Sequence, residues 1–177
     1  MNVYIDCGAC IGDTMAIAME KWKDMDRYIG FEPNLENFKV LEERFRGNDK
    51  VFVHPVAAAT YNGEIKLYCS PGNREGHSIY EKKWNVEGDP IKVKCIDFTR
   101  WLYDSFEVDD NITLKMNMEG AEYPVLAKLL RSDAINRVRA LFVQWHNHKI
   151  KEFDQKEHNY IQFQLHKRGI TACPFPK

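Results

Sequence analysis

The sequence predicts a doubly wound α/β protein with a mostly parallel sheet, organised as one domain over residues 1–177. Two observations carry this. Short apolar strand-like runs alternate with stretches of helical periodicity along the chain, the pattern of a sheet covered by helices on both faces. The first run also passes at once into a glycine-bearing turn and then a helix, as in nucleotide-binding βαβ units.

In chain order, Val3-Tyr4-Ile5 is a buried strand, Asp6 to Asp13 a tight turn, and Thr14 to Lys23 a helix. Arg27 to Phe31 is a second strand ending at Glu32-Pro33-Asn34, after which Leu35, Phe38, Leu41 and Phe45 recur at helical spacing until Gly47. Val51-Phe52-Val53 and Val56-Ala57-Ala58 make a third strand. Asn62-Gly63 then turns it into a hairpin with Ile65 to Tyr68, opening an insertion over about 61–90. Ser70 to Asp89, with Pro71, Gly72, Gly76 and Gly88, reads as a long irregular loop of the binding or lid type. A half-exposed strand over Ile91 to Ile96, a short helix over Phe98 to Phe106 and a strand over Asn111 to Met116 follow. The exit turn Met118-Glu119-Gly120-Ala121-Glu122 leads to a helix marked by Val125, Leu126, Leu129 and Leu130. Ala140 to Trp145 is a strand with His146 at its end, Phe153 to Arg168 a helix closed by Gly169, and Ile170 to Cys173 a last strand.

Composition bounds the function. Lys plus Arg total 25 against 26 Asp plus Glu, so there is no cationic excess to draw the chain onto nucleic acid. No apolar stretch has the length of a membrane span, and the opening residues are expected to be a strand rather than a signal peptide. Five irregularly spaced cysteines (Cys7, Cys10, Cys69, Cys95, Cys173) fit reduced thiols, and hence a cytoplasmic protein, better than a disulfide framework.

Ligands of such sheets sit at the carboxyl ends of the strands, where strand order reverses. This draws attention to Asp6–Thr14, Glu32–Asn34, Val56–Ala58, Lys115–Glu122 and Gln144–His148. Dinucleotide folds use Gly-x-Gly-x-x-Gly so that pyrophosphate can approach the backbone. Here Cys10 stands where the second glycine belongs, which disfavours NAD or FAD. A ligand carrying a carboxylate and an ammonium suits the loop better: N–H groups at the helix start meet the carboxylate, and Asp6 accepts from the ammonium. S-adenosylmethionine has both groups. Glu32 follows Gly12 by roughly twenty residues, the distance at which a second-strand acid accepts from ribose hydroxyls.

Three segments, Asp6-Cys7-Gly8-Ala9-Cys10-Ile11-Gly12-Asp13-Thr14, Tyr28-Ile29-Gly30-Phe31-Glu32-Pro33-Asn34 and Leu114-Lys115-Met116-Asn117-Met118-Glu119-Gly120-Ala121-Glu122-Tyr123, resemble the FkbM family of methyltransferases. The resemblance implies a class I, Rossmann-like methyltransferase fold, S-adenosylmethionine as cofactor, and O-methylation of a hydroxyl on a sugar, glycan or related small metabolite. It places Asp6, Gly8, Ala9, Gly12, Asp13 and Thr14 around the methionine part, Glu32 with Pro33 and Asn34 at the ribose, and Val56 and Ala57 at the adenine. Two departures stand out: Asn117 replaces a family aspartate, and Gln144-Trp145-His146 lacks the acid that precedes the last motif histidine. The sequence also begins two residues before its first strand, whereas relatives carry N-terminal helices over the cofactor. The expectation is therefore a more open site, a lid-supplying partner or a homo-oligomer.

Methyl transfer to oxygen needs an acceptor aligned with the breaking C–S bond and gains from a base for its proton. His146 can titrate near neutrality and is the candidate base, with strand-end capping as its ordinary alternative. Glu119 can bind or deprotonate the acceptor, although an acid at a helix start is also favoured by the dipole. Asn117 can position substrate or cofactor through hydrogen bonds, and His77, Ser78 and Glu122 are candidate acceptor contacts. Lys115 reads as a strand cation paired with a carboxylate, and Trp84, Trp101 and Trp145 as core or lid rather than sugar platforms.

Three rival readings remain. Cys7-x-x-Cys10 at a strand–helix junction is a thiol redox pattern. His146-x-His148 with Glu119 or His77 is a possible metal set, though the missing acid at Asn117 argues for none. Neutral Asn117 and Gln144 also fit a methyltransferase-like binding subunit that has lost turnover.

Overall fold

The computed structural model describes residues 1–72, 75–150 and 155–176. Its elements run β1 (Asn2–Cys7), α1 (Asp13–Lys21), β2 (Arg27–Phe31), α2 (Leu35–Arg44), β3 (Val51–His54), β4 (Ala57–Ala59), β5 (Gly63–Leu67), β6 (Ile91–Asp97), α3 (Phe98–Ser105), β7 (Asn111–Met116), α4 (Glu122–Leu129), β8 (Val138–Val143), α5 (Gln155–Lys167) and β9 (Ala172–Cys173). A six-stranded sheet has the order β3-β2-β1-β7-β8-β9, every neighbouring pair parallel. The chain builds outward from β1 in one direction as far as β3, then restarts on β1's other side with β7. The reversal, and with it the crevice that binds ligands in doubly wound sheets, therefore lies between β1 and β7.

The period of two along each strand decides what faces which helix layer. Val3, Ile5 and Cys7 join Ile112, Leu114 and Met116 in a core that also holds Phe98 and Leu102 of α3, Leu126 and Leu129 of α4, and Leu165 of α5. Tyr4 and Tyr28 point the other way, against Met15 and Ala18 of α1 and Leu41 of α2. Each fully buried Leu or Ile contributes on the order of 1.5–3 kcal/mol of transfer free energy, so both layers are well anchored. The same alternation puts Asp6 on the α1 side, in register with Lys115 on β7.

Two local expectations are corrected. The predicted third strand is two: β3 is the edge of the large sheet, whereas β4 belongs to a second, three-stranded sheet in the order β4-β6-β5. Pro55, which has no N–H to give a ladder, stands between them. The Asn62-Gly63 turn does not close a β4–β5 hairpin, because β6 lies between these strands, parallel to β4 and antiparallel to β5. Val93 and Cys95 of β6 bury with Ala57, Ala59 and Leu67, and Asn62 Oδ1 accepts from the Asp97 N–H at 2.8 Å. The turn thus serves the middle strand. Residues 70–89 form no regular element among those described, apart from a bridge between Tyr68 and Ser78. The helix expected from Phe153 is seen from Gln155, Phe153 lying outside the described residues. Among the described residues no helix is long and apolar enough to cross a membrane.

Candidate active site

A cavity of about 370 Å³ opens at the carboxyl ends of β1, β2 and β7. Gly8 makes the closest approach there. Its φ of +84° is left-handed, and a Cβ would stand 2.0 Å from the backbone oxygen of Asn117, so only glycine lets the first turn pass under the turn after β7. Its N–H and that of Ala9 both donate to Phe31 O, at 3.0 and 3.1 Å. Gly12, with φ +91°, precedes α1 where a Cβ would meet Phe45 and Leu41 at 2.6 and 2.8 Å. Cys10, in place of the dinucleotide glycine, also has a left-handed φ of 51°, and its N–H donates to Glu32 Oε2 at 2.9 Å.

Glu32 therefore ties the two loops together. Its other oxygen accepts from the Asn34 N–H at 2.9 Å, while Asn34 Oδ1 caps α2 through the N–H groups of Glu36 and Asn37. Glu32 is 5% exposed yet lies on the cavity wall. Burial pushes its pKa up to about 7, partly opposed by the two N–H donors.

Among the expected cofactor residues, Gly8, Ala9, Asp13, Thr14, Glu32, Pro33 and Ala57 line the cavity. Asp6, Gly12, Asn34 and Val56 stand behind it. Asp6 is not free to receive an ammonium, which corrects its expected role: it is fully buried and accepts from Lys115 Nζ at 2.7 Å, Thr14 Oγ1 at 2.5 Å and Tyr4 Oη at 3.2 Å. Lys115 is the paired strand cation the sequence suggested, and it also donates to Gly8 O at 3.1 Å. Asp13, exposed at the start of α1, pairs with Arg44 at 2.5 Å. Asn117 lies on the wall, its Oδ1 buried with no hydrogen-bond partner.

The expected catalytic histidine sits elsewhere than anticipated. His146 is fully buried behind Glu119. Its Nδ1 lies 2.9 Å from Glu122 Oε1, and its Nε2 lies 3.3 Å from Glu119 Oε1, close enough for an ion pair but not aligned as a hydrogen bond. Burial works against its charge, but the two carboxylates outweigh that and raise its pKa. Buried away from the cavity wall and fixed between two acids, the ring is not a free base for a substrate in the cavity. Glu122, also fully buried, accepts from the His146 and Gly120 N–H groups at 3.1 and 2.9 Å, and so is a framework acid rather than an acceptor contact.

Glu119 does reach the cavity. Burial would raise its pKa, but His146 and Lys83 more than offset that and hold it at about 2. Its backbone has a left-handed φ of 51°, steadied by Ser78 Oγ, which donates to Glu119 O at 2.7 Å. Ser78 is thus a clamp behind the wall. His77 is on the wall; its Nδ1 accepts from the Ser70 N–H at 3.1 Å. Burial, then Lys83, lowers its pKa; because Nδ1 accepts, the proton sits on Nε2, which offers a donor.

Sequence reasoning missed Lys83, Lys149, Phe31 and Leu67. Phe31 had a readable signal, being the strand residue next to the acid; the lysines had none, since both sit in polar stretches that look solvated. The thiol redox reading is contradicted: Cys7 is fully buried with its pKa raised by burial, and burial likewise lifts Cys10 to about 11, the reverse of an activated pair. Trp145 packs on Tyr123 and edge-on to His158, and Trp101 on Phe31 and Phe98, as core residues; Trp84 is 74% exposed.

Comparison with known proteins places this sequence in a family. Residues 6–170 match the Methyltransferase FkbM domain, and no curated protein matches the chain. A crystal structure titled Methyltransferase FkbM from Methylobacillus flagellatus KT is 20% identical, with a TM-score of 0.47, over 76% of this chain and 31% of that one. This chain thus spans about a third of that protein's length. With nearly all of its sequence inside the family's domain, and its crevice lined by the motif residues, the chain belongs to the FkbM family of methyltransferases.

Proposed function

We propose that the chain transfers a methyl group from S-adenosylmethionine to a hydroxyl oxygen of a sugar, glycan or related small metabolite. The observation that carries this reading is Glu32, a nearly buried carboxylate presented to the cavity at the end of β2. Each of its oxygens already accepts one N–H and retains lone-pair capacity for one of two ribose hydroxyls. The cavity volume lies within the range of small-molecule sites. Phe31, Ala57, Ala58 and Leu67 give it an apolar wall for a base. The first turn of α1, with Thr14 on the wall, suits a carboxylate, and Asn117 Oδ1, buried and unpartnered, suits an ammonium or an acceptor hydroxyl.

When bound, the cofactor supplies a methyl group activated on a sulfonium. The chain's part is mainly orientation, which for well-aligned groups is worth on the order of 7–11 kcal/mol. Glu119, on the wall and held ionised by its cationic neighbours, accepts a hydrogen bond from the acceptor hydroxyl, aims its oxygen, and relays to water the proton that this oxygen gives up on methylation. His77 Nε2–H and Lys149, which lies 3.5 Å from Glu119, donate to neighbouring acceptor oxygens. His146 acts through Glu119 and not on the acceptor.

Calorimetric titration with S-adenosylmethionine and with NAD tests the reading; binding of the first alone is expected, and equal or exclusive NAD binding rejects it. A methyl-donor-binding subunit without turnover is the second reading, favoured by Asn117 and Gln144 on the wall where acids would be expected. Transfer of labelled methyl to any acceptor excludes it.

A further inference from the structure

Lys83 is a buried cation that the proposed chemistry has not yet used. Its side chain is fully shielded from solvent although it belongs to the irregular stretch 75–89. Its Nζ meets Gly76 O at 2.5 Å, Asn85 Oδ1 at 2.5 Å and Glu119 Oε2 at 2.9 Å. All three partners are acceptors, so the three N–H bonds of an ammonium are filled. The loop is shaped around it: Gly76 has a φ of +86°, and a Cβ there would lie 2.7 Å from Asn85 Nδ2 and 3.3 Å from Lys83 Nζ. Two of its contacts, Gly76 and Glu119, belong to residues on the cavity wall.

We propose that Lys83 is the positioning residue of the acceptor side, fastening the loop over the cavity and orienting the Glu119 carboxylate toward the incoming hydroxyl. This rests on the reading of Glu119 as an acceptor contact. Lys83 draws one carboxylate oxygen and His146 lies 3.3 Å from the other, so each oxygen faces a basic group, and Ser78 holds the same residue's backbone from the same loop. Loop order and carboxylate orientation are therefore one property.

The test needs no acceptor. Carbon-13 NMR titration of the Glu119 carboxyl and hydrogen exchange of the Ser78 amide, which donates to Tyr68 O, are compared in wild type, Lys83→Met and Lys83→Arg. In Lys83→Met the Glu119 titration should move up by about one pH unit, tenfold in proton affinity, and the amide should exchange faster. Lys83→Arg, which restores the charge, should return the titration toward wild type, a rescue that loop packing alone would not produce. An unmoved titration in folded Lys83→Met, or no recovery with arginine, overturns the proposal. Should Lys83→Met fail to fold, Asn85→Ala removes one acceptor and leaves the charge; faster Ser78 exchange together with an upward-moved Glu119 titration is then expected, and wild-type exchange or an unmoved titration overturns the proposal. Titration of the wild type with S-adenosylmethionine reports separately: no binding sinks the underlying reading, whereas binding with an unmoved Glu119 sinks only the role of Lys83.

Discussion

Replacing Glu32 by glutamine isolates the interaction on which the cofactor assignment depends. Two hydroxyls donating to an ionised acceptor are worth about 1.5–3 kcal/mol each. Glutamine keeps one acceptor oxygen, so losing one to both bonds would weaken S-adenosylmethionine roughly 10- to 10⁴-fold. The pH dependence sharpens the test. Burial raises the Glu32 pKa to about 7 in the free protein, and ribose donors favour the ionised form, so affinity should be full above this pKa and fall as pH drops through it. At pH 5, two units below, about 1% of the sites remain ionised and binding should be weaker by up to about a hundredfold, each pH unit being 1.36 kcal/mol. The ligand's amino group keeps its proton throughout this window, since α-amino groups titrate near 8, and so does not contribute. Glu32→Gln should bind weakly with a flat profile from pH 5 to 7. Its amide must turn an NH2 toward the Cys10 or the Asn34 N–H, so its thermal stability has to be checked alongside. Calorimetry across this range decides the matter. A flat wild-type profile, or an affinity in Glu32→Gln within about threefold of wild type, refutes the reasoning.

Further expectations follow from other contacts. Gly8→Ala meets the Asn117 backbone at 2.0 Å with a φ of +84°; left-handed strain plus overpacking should cost about 2–5 kcal/mol in urea denaturation, and a neutral effect would contradict the loop geometry. Lys115→Met leaves Asp6 buried without its cation, at a cost of about 3–5 kcal/mol, whereas Asp6→Asn combined with Lys115→Met should cost less than the two single changes summed; strict additivity would deny the pair. His146 has a raised pKa, so the stability it contributes is fully present below its unfolded value of about 6.5 and is lost as pH rises through the folded one. Glu119, lowered to about 2, contributes above its unfolded value of about 4.3, and this is lost as pH falls. Melting temperatures of wild type and His146→Gln should therefore converge at alkaline pH, and parallel curves from pH 6 to 9 would show that the imidazolium is not held.

The large sheet was legible because its strands are apolar on both faces and are punctuated by turns. β2 and β7 have the boundaries expected from the sequence, and Gly8, Glu32 and Asn117 fall where strand ends require. Residue types at strand ends reveal which side chains can reach a crevice, but not which of them are already engaged. Asp6 was assigned to an ammonium because nothing local shows that Lys115, 109 residues away, would occupy it. His146 looked like a free base because its two acids come from the turn after β7 and the first residue of α4, brought alongside only by the β7–β8 pairing. The β4–β5 hairpin was inferred from a strong local turn, but a non-local strand with a better apolar face took the middle position. Lys83 lay beyond reach for a related reason: its burial is created by a loop that curls round it, a feature without periodicity.

Under the proposed function, the turn after β1 and the acid ending β2 together hold S-adenosylmethionine. A crystal structure of the chain soaked with that compound tests it most directly. Ligand density is expected in the cavity, with the ribose hydroxyls on Glu32 and the amino-acid end beside Gly8 and Thr14; ligand bound elsewhere, or no density at saturating concentration, would rule this out.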